Sequence, residues 1–135
     1  MRELLNLLAQ NDFIQKERPL DTKDIIDVQK HFVRNELPFL PKMFIDFLKI
    51  YNGVKTEGGA VFGIFPDDQS LDILDTNARY NRTTNQVILG ADDFAFLVYD
   101  DLQKKYLLLD RTDGLELDDF LETEFSSAIM SVLHF

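Results

Sequence analysis

Apolar residues recur every three or four positions in several stretches of the chain, the spacing that places side chains on one face of a helix. The clearest stretch lies between Pro41 and Gly53. Pro41 favours a helix start, because its fixed φ is helical and the first turn does not need the N–H that proline lacks. Asn52 and Gly53 then end the helix, since both residues tolerate the left-handed conformation common at helix ends. The apolar face consists of Phe44, Phe47, Leu48 and Tyr51.

The same spacing predicts two helices earlier in the chain. The first ends near Asn11-Asp12, and Phe13 and Ile14 are expected to return to the core after it. The second has Asp21 as its N-cap and ends at Leu37-Pro38, because the residue before a proline avoids the helical region. Their apolar faces are Leu4, Leu5, Leu7 and Leu8 in the first helix, and Ile25, Val28, Phe32 and Val33 in the second.

A further helix is predicted near the end of the sequence. Asp118 or Asp119 caps it, and Asp119 with Glu122 three residues later matches the pattern of a capping box. Its apolar stripe consists of Leu121, Phe125, Ala128, Ile129, Val132 and Leu133.

Between these helices the pattern changes to short apolar runs bounded by turn residues, which is typical of strands. The predicted strands cover residues 60–65, 86–90, 94–99 and 106–110. The last two form a hairpin across the polar turn at 100–104. Three of the predicted turns contain paired aspartates: Asp67-Asp68 after Pro66, Asp92-Asp93 after Ala91, and Asp100-Asp101 in the hairpin turn.

Residues 70–77 fit two structures. Leu71, Leu74 and Ala78 match a helix capped by Ser70, whereas Leu71 and Ile73 match a strand. The helix is favoured. The polar segment 79–85 that follows is predicted to be a loop.

The order of the elements predicts one α+β domain over residues 1–135: N-terminal helices, an antiparallel sheet of about four or more strands, and a C-terminal helix packed on one face. The hairpin strands are apolar on both faces. Phe94, Phe96 and Val98 alternate with three other apolar residues. Either a second layer therefore covers the other face, or part of that face binds a partner.

Composition excludes several classes of site. The 135 residues are 45% hydrophobic and contain no cysteine, which rules out disulfides, thiolate zinc sites and cysteine nucleophiles. A chain of this length buries roughly two thirds of its unfolded surface. No stretch has the roughly 18 apolar residues of a membrane span. Glu3 and Asn6 interrupt any signal-peptide core, so a cytoplasmic location is expected.

The net charge of −10 is unevenly distributed. Residues 1–60 contain nine basic and nine acidic residues, whereas residues 61–135 contain five basic and fifteen acidic ones. Such a surface repels nucleic acid and attracts basic proteins. The simpler interpretation is that the acidic residues keep the protein soluble.

No catalytic constellation is evident. His31 follows Asp27 by four residues, as in an ordinary helix-surface pair, and His134 has no neighbouring ligand at zinc-site spacing. No catalytic residue, metal or cofactor is therefore expected. Aspartate doublets in turns mostly form the turn itself, but they are also candidates for partner recognition. The partner-binding candidates are Asp67, Asp68, Asp92, Asp93, Asp100 and Asp101.

The segment Leu40–Gly53 resembles a signature of the SUKH superfamily, which includes bacterial immunity proteins and fungal cell-wall assembly regulators. The resemblance covers roughly residues 20–133. It continues through Gly63-Ile64-Phe65-Pro66, the strand ending at Gly90, the hairpin and Asp119-Phe120-Leu121. The first helix is not part of it.

This resemblance implies a non-catalytic, intracellular binding protein, in the bacterial case one that neutralises a polymorphic toxin domain, frequently a nuclease. An acidic surface agrees in sign with a basic toxin partner. The alternative is a regulatory or scaffold protein that binds endogenous partners, as the fungal relatives do. A third hypothesis is an enzyme or small-molecule binder with a pocket at the sheet.

Overall fold

An antiparallel sheet with its strands in chain order runs through the centre of the protein. The computed structural model describes residues 1–81 and 83–135, and within these the sheet has seven strands. The strands are β1 (Gln15–Lys16), β2 (Val54–Lys55), β3 (Gly59–Val61), β4 (Gln86–Asp92), β5 (Ala95–Asp100), β6 (Lys105–Asp110) and β7 (Glu116–Leu121). The helices are α1 (Arg2–Gln10), α2 (Thr22–Arg34), α3 (Lys42–Leu48), α4 (Ile73–Tyr80) and α5 (Phe125–Leu133). The predicted α+β class is confirmed.

Helices cover both faces of the β4–β6 hairpins. On one face Tyr106 packs against Phe125 of α5, with ring centroids 5.7 Å apart. On the other, Phe96 packs against Tyr80 of α4 at 5.5 Å. Val98 lies on the same face as Phe96 and is buried. A second layer therefore covers this face at Phe96 and Val98, whereas Phe94 lies before β5 and is 75% exposed.

The N-terminal helices complete the core on the α5 side. Phe44 and Phe47 of α3 meet Phe125 edge to face, at 6.4 and 6.0 Å. The predicted apolar stripe of α5 is confirmed from Phe125 to Leu133, and all of its members are buried.

The α3 segment differs from the prediction at both ends. Pro41 is the N-cap rather than the first helical residue, and regular helix ends at Leu48, so Tyr51 lies beyond it. Gly53 does have the predicted positive φ, at 117°. Asn52 is buried, and its amide pairs with the backbone of Ile64 in both directions, at 2.7 and 2.8 Å. This pairing fixes the residues after α3 against the sheet.

Three other predictions for the N-terminal half are wrong. Val33, predicted on the apolar face of α2, is 55% exposed. Phe13 is 98% exposed rather than returned to the core, although Ile14 is buried. Helix α2 ends before the Leu37-Pro38 pair, because Glu36 adopts a φ of 58° and the N–H of Leu37 bonds back to the Phe32 carbonyl. The local left-handed turn, not the proline, ends α2.

The middle of the chain keeps its predicted elements with shifted boundaries. Segment 73–80 is helical as favoured, but Asp72 rather than Ser70 caps it, through the N–H of Leu74. Helix α4 includes Arg79 and Tyr80, which the sequence assigned to a loop. Arg82, in the same predicted loop, lies outside the described residues. Strand β4 extends through Asp92, so the turn begins two residues later than predicted.

The largest error concerns residues 116–121. They form the edge strand β7 instead of the start of the last helix, and the Asp119–Glu122 capping box is absent. Leu121 is exposed rather than part of the buried stripe. Helix α5 starts at Phe125, and Glu124 accepts a hydrogen bond from the N–H of Leu121 at 2.7 Å.

Candidate protein-binding surface

One aspartate of each predicted doublet shapes its own turn. Asp68 accepts a hydrogen bond from the backbone of Ser70, and Asp92 accepts from the backbone of Phe94 and Ala95. These bonds to N–H groups two or three residues ahead are the usual Asx-turn interactions. These hydrogen bonds explain why aspartate occurs at both positions, and the explanation does not require a binding partner.

Asp100 is the most enclosed of them, with 2% of its surface exposed. Its carboxylate accepts hydrogen bonds from the backbone of Leu102 and Gln103 at 3.0 and 2.9 Å, and from the Gln86 side chain at 3.0 Å. Burial alone would raise the pKa of Asp100, but these hydrogen bonds hold it below its ordinary value. Asp100 is thus an ionised group that joins β4 to β5.

Asp92 has an additional partner that the sequence did not indicate. Its second oxygen lies 2.9 Å from Nε2 of His134. Burial works to raise the pKa of Asp92, whereas its two backbone hydrogen bonds and His134 outweigh that effect and lower it. Spacing along the chain could not have revealed this pair, because its members are far apart in sequence.

The other aspartate of each doublet faces solvent. Asp67 pairs with Arg18 at 2.9 Å, and Asp101 pairs with Lys104 at 2.6 Å. Asp93 is exposed and has no ion pair or hydrogen bond within the described part of the chain. Exposed pairs of this kind contribute little to stability.

The six predicted residues do not form one surface. Asp92 ends β4 and precedes β5, whereas Asp100 is the last residue of β5. A strand of six residues separates the two turns by about 20 Å. Asp68 lies elsewhere again, bonded to Gln15 of the first strand at 2.8 Å. A partner that contacts one doublet closely therefore need not contact the others.

A more concentrated acidic surface lies along β7 and the turn after it. We call it the acidic edge, and it consists of Glu116, Asp118, Asp119, Glu122 and Glu124, all of them exposed. Within the described residues, Asp119 alone of these forms an ion pair, with Lys105 at 3.1 Å. Strand β7 is the last strand of the sheet, so no other strand among the described residues pairs with its outer edge.

One of the predicted doublets belongs to the same end of the sheet. The hydroxyl of Tyr99 donates to Glu122 at 3.0 Å. Burial, then Glu122, then the charges of Asp101 and Asp100 raise the pKa of Tyr99 to about 12. Asp100 is also paired with Lys105, and Lys105 with Leu121, so Asp101 and Glu122 follow neighbouring positions at the same end of the sheet.

Carboxylates also accept hydrogen bonds from backbone N–H groups at this edge. The N–H groups of Asp119 and Leu121 bond to the carboxylates of Asp118 and Glu124, at 2.8 and 2.7 Å. An incoming strand would have to displace both, which is how charged side chains protect a sheet edge from aggregation. The edge therefore presents side chains rather than free backbone donors to a partner.

The alternation of apolar and acidic residues from Leu115 to Asp118 was the signal for this edge. A period of two is typical of a strand with one face toward solvent. The capping-box pattern of Asp119 and Glu122, followed by an apolar helical stripe, predicted the start of a helix here instead.

No group of three or more potential metal ligands occurs in the described part of the chain. The three aspartates with shifted pKa values, Asp68, Asp92 and Asp100, all have lowered ones. A general acid working near neutral pH requires the opposite shift.

No family model matches the sequence, and no curated protein is significantly similar to it. Within the described residues, no helix is long and apolar enough to cross a membrane.

Proposed function

We propose that this chain is an intracellular, non-catalytic binding protein that uses the acidic edge to hold a basic partner, in the manner of a SUKH-type immunity protein bound to a nuclease-type toxin domain. The observation that supports this proposal is the concentration of exposed carboxylates at one unpartnered sheet edge. Four of the five have no ion pair within the described residues.

Charge explains how such a surface would work. Unpaired carboxylates create a negative field that raises the encounter rate with a basic protein. A nuclease must carry cations to bind its phosphate substrate, and an acidic inhibitor can occupy those cations in place of the nucleic acid. This mechanism needs no bond-making residue in the inhibitor.

The SUKH part of the proposal rests on the residues between Leu40 and Gly53. Phe44 and Phe47 of this segment are core residues, and Asn52 is a structural amide. The signature therefore bears on the architecture, and the choice of partner depends on other residues.

The test is co-expression with the toxin domain encoded beside this gene, followed by a pull-down and a growth assay. We expect a stable complex and rescue of growth. Failure of every neighbouring toxin domain to bind would contradict the immunity role. Capture of a host regulatory protein instead would favour the scaffold alternative.

Two matched triple variants then test the surface. Glu116→Gln, Asp118→Asn and Glu122→Gln together should slow association about tenfold at low salt. Glu3→Gln, Asp12→Asn and Asp27→Asn remove the same charge from exposed, unpaired positions elsewhere. Equal effects of the two variants would leave net charge, not the acidic edge, as the cause.

A further inference from the structure

A second surface, on α2, is apolar and carries positive charge, unlike the acidic edge. A groove of about 440 Å³ runs between α2 and the segment that follows it. Its apolar lining is formed by Ile25, Ile26, Val33 and Phe39. We call it the α2 groove.

Three of the apolar side chains that line this groove are largely exposed to solvent. Ile26 is 63% exposed, Val33 55% and Phe39 61%. Ile26 and Val33 are seven residues apart on one helix, so they lie on one line about 10 Å long. Scattered exposed hydrophobic residues need no explanation, but apolar side chains that line one groove together with an aromatic ring are typical of a binding groove.

The charged groups of the groove all have one sign. Lys30 and Arg34 line it, and no carboxylate does. Neither cation forms an ion pair or hydrogen bond with another described residue. The protein has a net charge of −10, yet this groove is lined by two unpaired cations and no carboxylate. Charge complementarity therefore favours an acidic partner.

We propose that the α2 groove binds an acidic amphipathic helix of a partner protein. Two or three apolar side chains of that helix, spaced three, four or seven residues apart, would fill the line from Ile26 to Phe39. Carboxylates on the flank of the same helix would pair with Lys30 and Arg34. This site is separate from the acidic edge and does not depend on the proposed function.

Charge distinguishes this occupant from a basic toxin domain. A basic surface would meet Lys30 and Arg34 with like charge, which is unfavourable. The protein thus has one surface for a basic partner and another for an acidic one.

The test uses the full chain and two synthetic peptides of about 16 residues, long enough to form helix on binding. Both peptides carry leucine at every third or fourth position. One has glutamate on its polar face and the other has lysine at the same positions. Binding is followed by fluorescence anisotropy at low salt, and we expect the glutamate peptide to bind at least about tenfold more tightly than the lysine peptide.

Surface variants with matched controls locate the site. Ile26→Asp, and Lys30→Glu with Arg34→Glu, should each weaken binding of the glutamate peptide about tenfold or more. Ile50→Asp and Lys49→Glu, exposed positions outside the groove, should leave it unchanged. Circular dichroism checks that each variant is folded, which is expected since every altered side chain is exposed.

Three results would overturn the proposal. Equal binding of the two peptides would remove the charge argument, and full binding to Ile26→Asp would place the peptide elsewhere. A concentration-dependent dimer in sedimentation equilibrium, dissociated by Ile26→Asp, would show that a second copy of the chain fills the groove. None of these results bears on binding of a toxin domain at the acidic edge.

Discussion

Some buried polar side chains in this protein form several hydrogen bonds, whereas the hydroxyl of one buried tyrosine forms none with the described residues. Asp100 accepts hydrogen bonds from both backbone and side chains, and Asn52 joins two segments through its amide. Tyr106, by contrast, is fully buried, and its hydroxyl has no hydrogen-bond partner in the described part of the chain. Because an unsatisfied buried polar atom costs about 1–3 kcal/mol, these residues affect stability in opposite directions.

Tyr106→Phe should leave the free energy of unfolding unchanged or raise it by up to about 1 kcal/mol, because the hydroxyl is desolvated without compensation. Urea unfolding measures the difference. Tyr99→Phe is the matched control, since it removes a hydroxyl that does bond, to Glu122, and should not stabilise the protein. Clear destabilisation by Tyr106→Phe would mean that the hydroxyl has a partner, such as a buried water.

Asp100→Asn should destabilise the protein by about 1–3 kcal/mol near neutral pH, because the amide offers only one acceptor oxygen and brings donors that face other donors. Asp93→Asn, at an exposed position without partners, should have almost no effect. Equal urea midpoints for the two variants would contradict the structural role of Asp100.

The pH dependence of stability follows from the same carboxylates. The pKa values of Asp68, Asp92 and Asp100 in the folded protein are lowered from the ordinary value of 3.8. The folded state therefore binds protons less readily than the unfolded state, so this stability is fully present above about pH 4 and is lost as the pH falls through the lowered pKa values. Urea unfolding between neutral and acidic pH should show this loss, and Asp100→Asn should reduce its slope.

The elements are joined by close backbone contacts as well as by the core. Gly63 connects the segment after α3 to α4: its N–H bonds to the Leu71 carbonyl and its carbonyl accepts from Ile73, at 2.8 and 2.9 Å. A Cβ at Gly63 would collide with the backbone carbonyl of Asn52. Glycine is required here because a side chain would not fit. The backbone conformation is not the reason, because the φ of Gly63 is not in the left-handed region.

Gly63→Ala should therefore destabilise the protein by about 1–3 kcal/mol, the usual cost of overpacking a close contact. Gly114→Asn is the control, because Gly114 has open space around it and asparagine tolerates its φ of 75°. Thermal unfolding compares them. A wild-type melting temperature for Gly63→Ala would mean that the segments move apart at little cost.

Over the whole molecule, the charge excess of the second half is concentrated by folding. Strand β7 brings carboxylates from 116 to 119 to one sheet edge, and the following turn adds Glu122 and Glu124. The α2 groove, in the balanced first half, has two unpaired cations. The fold thus converts a difference along the sequence into two surfaces of opposite sign.

Association of a basic partner with the acidic edge should therefore depend on ionic strength. The association rate constant should fall at least about tenfold between low salt and 0.5 M salt, because screening shortens the Debye length to a few ångströms. The dissociation rate constant should change much less. Stopped-flow or surface plasmon resonance separates the two, and an association rate indifferent to salt would remove charge steering from the proposal.

Local patterns by themselves determined the fold class, the position of most helices, the hairpin strands and the stripe of α5. These depend on periodicity and on turn residues that act within a few positions, which a sequence displays directly. The amino-acid composition by itself also showed the excess of acidic residues after residue 60.

Only the tertiary structure decided the rest. The pairing of Asp92 with His134 and the amide bridge of Asn52 join residues that the sequence does not bring together. Whether 116–121 was the start of a helix or an edge strand depended on pairing with β6, because both choices satisfied the local pattern. The carboxylates of the acidic edge are already close together in the sequence, but only the strand order places them at an edge of the sheet.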